Sequence, residues 1–313
     1  MGITLLLASL FTFVELNCEN LFDTRHDSLK QDTEFLPEST HRWKPYRYWR
    51  KLNRIGQEIM ACGTGGATAA MPDMVALTEV ENDSVLTDLT RRSLLRQAGY
   101  QYVMTDSPDA RGIDVALLWS PFAFRLISHH ALRIEPPRGF RPTRDILYVA
   151  GEVITGDTLH VFVVHAPSRS GGERATRPYR LQVAQRLTQA IDSVRQASPR
   201  GLILVAGDFN DYTGDASLQA IASHGLSEVS AGAKGSHGAK GTYRWHGRWD
   251  SLDHIFCCSA LAARLTECRV NDAPFLLEED SKYGGMKPRR NYQGPKYLDG
   301  FSDHLPLVTV FDL

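Results

Sequence analysis

Strand-like apolar runs recur along the whole chain, and they restrict it to a fold built from sheets. They fall near 11–17, 73–79, 101–105, 113–119, 122–132, 145–154, 158–165, 201–207, 242–245, 252–257, 262–270 and 305–312. Val, Ile, Phe, Tyr and Leu dominate these runs and turn residues bound them. Helical spacing appears between some of them: Leu52, Ile55 and Ile59 within 47–62; Val85, Leu86, Leu89, Leu94 and Leu95 within 84–97; Leu181, Val183, Ala184, Leu187, Ile191 and Val194 within 174–195. A shorter helix is predicted over 215–223. Helices alternate with strands early and hairpins fill the middle, which predicts two packed sheets flanked by helices, an α/β sandwich in one domain over 11–313.

The segments 25–46 and 271–301 are rich in charge, Pro and Gly, lack periodicity, and read as long loops of the kind that carry function. Gly63-Thr-Gly-Gly-Ala-Thr-Ala-Ala70 reads as a flexible loop; a phosphate-binding glycine loop needs a following Lys-Ser/Thr, which is missing. Residues 1–10 are apolar but too short to span a bilayer, which takes about 20 apolar residues. Two readings stand for them, the remnant of an export signal or a strand extension, with an exported location slightly favoured.

Composition excludes several classes. The formal charge of −1 gives no global attraction to polyanions, so any nucleic-acid contact must come from a local basic patch. The five cysteines, Cys18, Cys62, Cys257, Cys258 and Cys268, are odd in number and lack CxxC spacing, which argues against a disulfide framework or a zinc site. No Gly-x-Ser-x-Gly elbow supports a serine hydrolase.

Polar residues cluster at the ends of the apolar runs. Gly207-Asp208-Phe209-Asn210 follows Leu202–Ala206, and Ser302-Asp303-His304 precedes Leu305–Val310. Asn17, Glu79 and His165 close three other runs, and Asp253 opens one. A hard cation such as Mg²⁺ takes a few carboxylates plus waters and substrate oxygens. Glu79 is its natural anchor, with Asp208, Asn17 or Asp303 completing the shell. A catalytic histidine needs a group that fixes its tautomer; Asp253 is the candidate for His304 and Asp114 for His165.

With these residues in view, the chain resembles the endonuclease/exonuclease/phosphatase superfamily, in its deoxyribonuclease I-like branch. Asn17 in Glu-Leu-Asn-Cys-Glu-Asn, Glu79 in Leu-Thr-Glu-Val, His165 in Val-Val-His-Ala-Pro, the Gly-Asp-Phe-Asn run, Asp253 and the Ser-Asp-His run follow in family order. Thr78 stands where the family usually has Gln. Arg144 falls where the branch has a phosphate-contacting Arg, and Asp114 near the carboxylate partner of the first His.

The resemblance implies a four-layer α/β sandwich, two mixed β-sheets packed face to face and flanked by helices. It implies a Mg²⁺-dependent phosphoric ester hydrolase, with Mn²⁺ as a substitute ion. His165, Asp208, Asn210, Asp253, His304 and Asp114 would be catalytic. Arg144 and Asn17 would bind substrate, and Glu79, Asp303 and Asn17 would hold metal. A water would attack phosphorus in line, oriented by Asp208 and Asn210 and made basic near His304–Asp253. His165 would stabilise the transition state or protonate the leaving oxygen.

Each motif alone has an ordinary explanation: Gly-Asp-Phe-Asn as an Asx turn, Asn17 as a strand cap, His165 as a core histidine. Their joint order carries the resemblance. His160 and His254 read as structural. In Arg42–Lys51 the interleaved aromatics and cations could stack bases and meet phosphates; the favoured reading has Tyr and Trp dock a helix while Arg and Lys solvate its outer face. Tyr283–Tyr292 lies just before Ser-Asp-His, so its basic groups are expected at a cleft rim, with substrate contact and a purely structural role equally open. The functional expectation is a phosphodiesterase of the nuclease type acting on nucleic acid, as a monomer with no stable protein partner. The alternative substrates are inositol phosphates, sphingomyelin-like lipids or sugar phosphates, for a phosphatase or a phospholipase C-type enzyme. A non-catalytic binding module is the third reading.

Overall fold

The computed structural model describes residues 10–63 and 70–313. The 1–9 stretch and most of the Gly63–Ala70 loop, for which the sequence left readings open, lie outside the described residues. The first nine strands are β1 (Leu10–Leu21), β2 (Met74–Val80), β3 (Gln101–Met104), β4 (Asp114–Trp119), β5 (Phe124–Leu132), β6 (Ile146–Val153), β7 (Thr158–His165), β8 (Leu202–Asp208) and β9 (Leu226–Glu228). The rest are β10 (Tyr243–Trp245), β11 (Arg248–Asp250), β12 (Asp253–Cys258), β13 (Leu265–Val270), β14 (Leu277–Glu279), β15 (Met286–Pro288), β16 (Tyr292–Gln293), β17 (Lys296–Tyr297) and β18 (Leu307–Asp312). The helices are α1 (Pro45–Ala61), α2 (Asp83–Thr87), α3 (Glu173–Ala197), α4 (Ala216–Ser223) and α5 (Ser259–Ala262).

Two six-stranded mixed sheets result, ordered β13-β18-β1-β2-β4-β3 and β5-β6-β7-β8-β12-β9. Each has one parallel pair among antiparallel ones, β1 with β2 and β7 with β8. A parallel pair needs a long crossover, and α1 and α3 lie in those two connections.

Side-chain alternation builds the layers. Along β1, Phe11 and Phe13 face the other sheet while Val14, Leu16 and Cys18 face α1. Three apolar clusters follow, one per seam of a four-layer sandwich. The first joins the sheets through Phe13, Ala76 and Leu117 on one side and Val161, Leu204 and Ile255 on the other. The second seats α1 through Leu52, Ile55 and Ile59 on Leu16, Leu77 and Leu118. The third seats α3 and α4 through Leu187, Ile191 and Leu218 on Phe162, Val205 and Phe256. Truncating a fully buried residue such as Leu52 to Ala costs about 2–5 kcal/mol.

Three expectations change. The 84–97 helix is broken: after α2 the chain makes a π-helical turn over Asp88–Arg92, then extends at Ser93 (ψ −167°) before a 3₁₀ turn over Leu94–Gln97. The Ser93 hydroxyl accepts from Leu95 N at 3.1 Å, the local competition that ends helices at serine. The 271–301 loop carries two short ribbons, β14–β15 and β16–β17. Around 42–51, Trp43 and Tyr48 are core residues as the docking reading holds, but Lys51 is buried too and donates to Phe301 O. All five cysteines are free, and no helix among the described residues is long and apolar enough to cross a membrane.

Candidate active site

The inter-sheet core ends in polar residues at one edge, and that edge forms the site. On β7, Val161 and Val163 are core residues and His165 continues their face. On β8, Leu204 and Ala206 lead to Asp208; on β12, Cys257 and Ile255 lead back to Asp253. Strand register sets His165 opposite Asp208 and Asp208 opposite Asp253, so the three form one row across three strands. From the facing sheet, Phe11 and Phe13 lead through Glu15 to Asn17.

Gly-Asp-Phe-Asn divides its duties residue by residue. A Cβ on Gly207 (φ 148°) would lie 1.8 Å from Val164 O, so only glycine lets β8 approach β7 this closely. Phe209 enters the outer core. Asn210 takes the left-handed conformation (φ 51°) that asparagine tolerates, and its backbone N–H donates to Asp208 Oδ1 at 2.8 Å. Its Nδ2 donates to Ala166 O at 3.1 Å. Asn17 Nδ2 donates to Asp208 Oδ2 at 3.1 Å, while its Oδ1 accepts from Glu19 N at 2.9 Å.

Glu79 reaches the cleft by breaking the alternation. Val75, Leu77 and Val80 all face α1, so the pattern slips by one residue between 77 and 80. The slip is a bulge at Glu79, shared by both neighbouring strands, and Glu79 sits at φ 61°. Such a conformation in a non-glycine costs on the order of 1–3 kcal/mol and clusters at functional sites. Asn20 N donates to Glu79 Oε2 at 2.8 Å. Glu79 Oε1 faces His165 Nε2 at 3.8 Å and Arg111 at 4.0 Å, beyond hydrogen-bonding reach. The same Nε2 stands 3.7 Å from Asp208 Oδ2.

His304 pairs with Asp253, Nδ1 to Oδ2 at 2.7 Å. Thr242 Oγ1 donates to that same oxygen. Ser302 Oγ donates to Asn17 O at 2.6 Å and ties the Ser-Asp-His run to β1. Asp303 Oδ2 accepts from Arg290 at 3.0 Å. Arg144 is buried, donates to Ala166 O at 2.8 Å and pairs with Asp109 at 3.1 Å, and its Nε has no partner. A cavity of about 370 Å³ is lined by Asn17, Glu79, Arg111, Arg144, His165, Asp208, Asn210, Tyr243, Asp303 and His304 among others. Asp253 lies beneath it, wholly buried.

Burial and charge set opposite states for the two histidines. Burial, then Arg144, Arg111 and His304, hold His165 well below its ordinary value, so it is neutral near pH 7. Burial also pulls His304 down, but Asp253, Asp303 and Asp208 outweigh it and raise His304 well above the ordinary value. Burial and then Asp253 push Asp208 up to about 7, against the pull of His304 and the Asn210 N–H.

Two expectations fail on geometry. Asp114 does not pair with His165: Val115 and Leu117 occupy the inner face of β4, so Asp114 points to the other side. There it accepts from Ser107 N at 3.1 Å and from the Thr105 and Ser107 hydroxyls, while His165 Nδ1 is buried without a partner. Asn17 turns its NH₂, not its oxygen, to the cavity, which suits contact with substrate or Asp208 better than ligation of a metal. Sequence reading also passed over Asp109, Arg111, Tyr243 and Glu15. Tyr243 packs on His304 with ring centroids 4.9 Å apart. Glu15 lies one step deeper than Asn17, fully buried with neither carboxylate oxygen bonded, and burial raises its pKa well above the ordinary value. Only alternation along β1 signals where it points.

The donors fit a hard divalent cation. Glu79 Oε1 makes no hydrogen bond and faces the same cavity as Asp208 and Asp303, and carboxylate oxygens with room for water suit Mg²⁺ or Mn²⁺. Asp208, Asp253 and His304 also offer atoms within 4.8 Å of one another. The His304 Nδ1–Asp253 bond accounts for part of that closeness, whereas Glu79 Oε1 has no such partner.

Residues 12–312 match the family model described as the endonuclease/exonuclease/phosphatase family. Among solved structures, a family protein from Bacteroides thetaiotaomicron aligns at TM-score 0.62 and 16% identity, over 98% of this chain and 99% of that one. The mannosyl-6-phosphatase Bt3783 of Bacteroides thetaiotaomicron aligns at TM-score 0.61 and 15% identity, over 96% and 98%. The human Nocturnin catalytic domain with bound sulfate aligns at TM-score 0.57 and 20% identity, over 96% and 94%. These likenesses share the fold. A search of curated protein sequences found no match.

Proposed function

The chain belongs to the endonuclease/exonuclease/phosphatase family, whose members hydrolyse phosphoesters, and from that premise we propose that it is a Mg²⁺-dependent phosphodiesterase acting on nucleic acid. The observation that supports the diester reading is room beside the site for a second ester group. A second cavity, of about 430 Å³, shares Asn20 and Arg111 with the first and is walled by Glu19, Phe22, Glu34, Phe35, His41, Arg290 and Tyr292 among others. Tyr243, packed on His304, lines the first cavity. A diester needs room for an alcohol group on each side of phosphorus, whereas a monoester needs one.

In the proposed reaction the phosphate lies among Arg144, His165, Asn17 and His304. A divalent cation held by Glu79, with Mn²⁺ able to replace Mg²⁺, would offset charge on the phosphate oxygens. Asp208, held by Asn17 and Asn210, orients the attacking water and takes its proton as the new P–O bond forms. The ester oxygen opposite departs and takes a proton from solvent. His165 donates a hydrogen bond from a neutral ring, a role that replaces protonation of the leaving group. His304, cationic and held by Asp253, stabilises charge on the phosphoryl oxygens. Burying these donors keeps them pre-oriented, which is where most of the rate comes from.

A substrate panel tests the reading: a single-stranded oligonucleotide, plasmid DNA, sphingomyelin, an inositol phosphate and mannose 6-phosphate, each with Mg²⁺ or with EDTA. Cut nucleic acid without inorganic phosphate is the expected result. Phosphate release from the monoesters, with nucleic acid left intact, would instead make the protein a phosphatase.

A further inference from the structure

The hairpin β10–β11 carries an exposed stack of rings that the reaction does not use. His246 and Gly247 form its two-residue turn, both with positive φ (49° and 80°), the geometry that matches strand twist. Trp245 and His246 stack with centroids 4.6 Å apart and planes 13° apart, and His246 and Tyr283 continue at 5.6 Å and 21°. Trp245 is 59% exposed and Tyr283 43%. Neither ring serves the core.

The stack is held rigidly and leads to the site. A Cβ on Gly247 would lie 2.8 Å from Tyr283 Cβ, so glycine lets Tyr283 sit against the turn. Arg244 donates to Met286 O at 2.5 Å, to Gly284 O at 2.6 Å and to Gly247 O at 3.2 Å, binding the hairpin to the 283–286 segment. Tyr243 and Trp245, two apart on one strand, share a face. Tyr243 packs on His304, and Trp245 stands about 7 Å farther along the strand. Cations flank the rings: Lys282 Nζ lies 4.9 Å from the Tyr283 ring, and Arg248 is exposed just beyond the turn.

We propose that Trp245, His246 and Tyr283 form a stacking platform for unpaired bases of a single-stranded nucleic acid whose phosphate enters the catalytic cavity past Tyr243. Near-parallel rings can be extended by one more flat ring, and the flanking cations suit the phosphates between successive bases. Paired bases hide their faces, so the platform favours single strands over a duplex of the same sequence. The inference rests on the phosphodiesterase reading for what happens to the bound strand.

Binding of a labelled twelve-residue oligothymidylate to the Asp208→Ala protein, followed by fluorescence anisotropy, tests the platform. Adding Trp245→Ala is expected to weaken binding about tenfold, Trp245→Phe to retain most of it, and an abasic strand of equal length to bind weakly and ignore Trp245. Equal affinity with and without the Trp245→Ala change, or no binding at all, overturns the proposal. Hydrolysis of bis(4-nitrophenyl) phosphate by otherwise wild-type protein separates the two readings. Normal hydrolysis with binding indifferent to Trp245 removes the platform and leaves the phosphodiesterase. Trp245-dependent binding with no hydrolysis of any diester removes the phosphodiesterase and leaves the platform.

Discussion

At the residue scale, the account depends on which side chains share the end of the inter-sheet core. Gly-Asp-Phe-Asn and Ser-Asp-His were legible because each adjoins an apolar run that had to be a strand. Glu79 was legible as a strand-end carboxylate, but nothing in Leu-Thr-Glu-Val announces the bulge and the φ of 61° that turn it inward. Asp114 was misread by one residue of phase: Val115 takes the inner face, so its neighbour cannot. The pair His304–Asp253 gives the sharpest residue-level prediction. Asp253→Asn removes the carboxylate that does most to hold the buried His304 proton. The His304 titration, followed by imidazole NMR, should then fall toward or below neutrality, and kcat should drop about 10²–10⁴-fold. An unmoved titration would deny that Asp253 sets the state of His304.

At the element scale, long strands and α1, α3 and α4 could be read from periodicity. β9, β11 and β14 to β17 could not, since a strand of two or three residues shows little or no period, and β10 was legible only from the apolar run near 242–245. The close pass of β8 against β7 and the hold of α1 on the 299–304 segment are invisible in sequence, being contacts between distant segments. Gly207→Ala forces a Cβ to within 1.8 Å of Val164 O; chemical denaturation should show a loss of about 2–4 kcal/mol. Lys51 on α1 donates to Phe301 O, and Arg50 and Arg54 pair with Asp299, each at 2.9 Å. Lys51→Met should therefore lower kcat with KM nearly unchanged, because the Ser-Asp-His run loses its support while the phosphate contacts remain. A rise in KM alone would place Lys51 outside this role.

At the scale of the whole molecule, alternation made the layers legible, but the row His165–Asp208–Asp253 arises from register among three strands far apart in sequence. The same packing buries acids whose protons bind more tightly in the fold. Burial raises Glu58 from 4.5 to about 8, Glu81 to about 8 and Glu19 to about 7. Between pH 4.5 and 8 the folded chain keeps protons that the unfolded chain has lost, so these groups make stability fall as pH rises. The raised His304 adds to this, its contribution being complete below pH 6.5 and lost as pH climbs through its folded value. Metal-free protein should thus melt at lower temperature at about pH 9 than at about pH 5. Glu58→Gln should recover ~2–4 kcal/mol at about pH 9 and little at about pH 5. The central claim is that Glu79 and the row beneath it work on one phosphodiester with one kind of cation. Its most direct test is the rate of oligonucleotide cleavage against Mg²⁺ concentration for wild type, Glu79→Gln and Asp208→Asn. Saturable cleavage by wild type, a much higher Mg²⁺ requirement for Glu79→Gln and no cleavage by Asp208→Asn are predicted; metal-independent cleavage, or equal rates in all three, would contradict it.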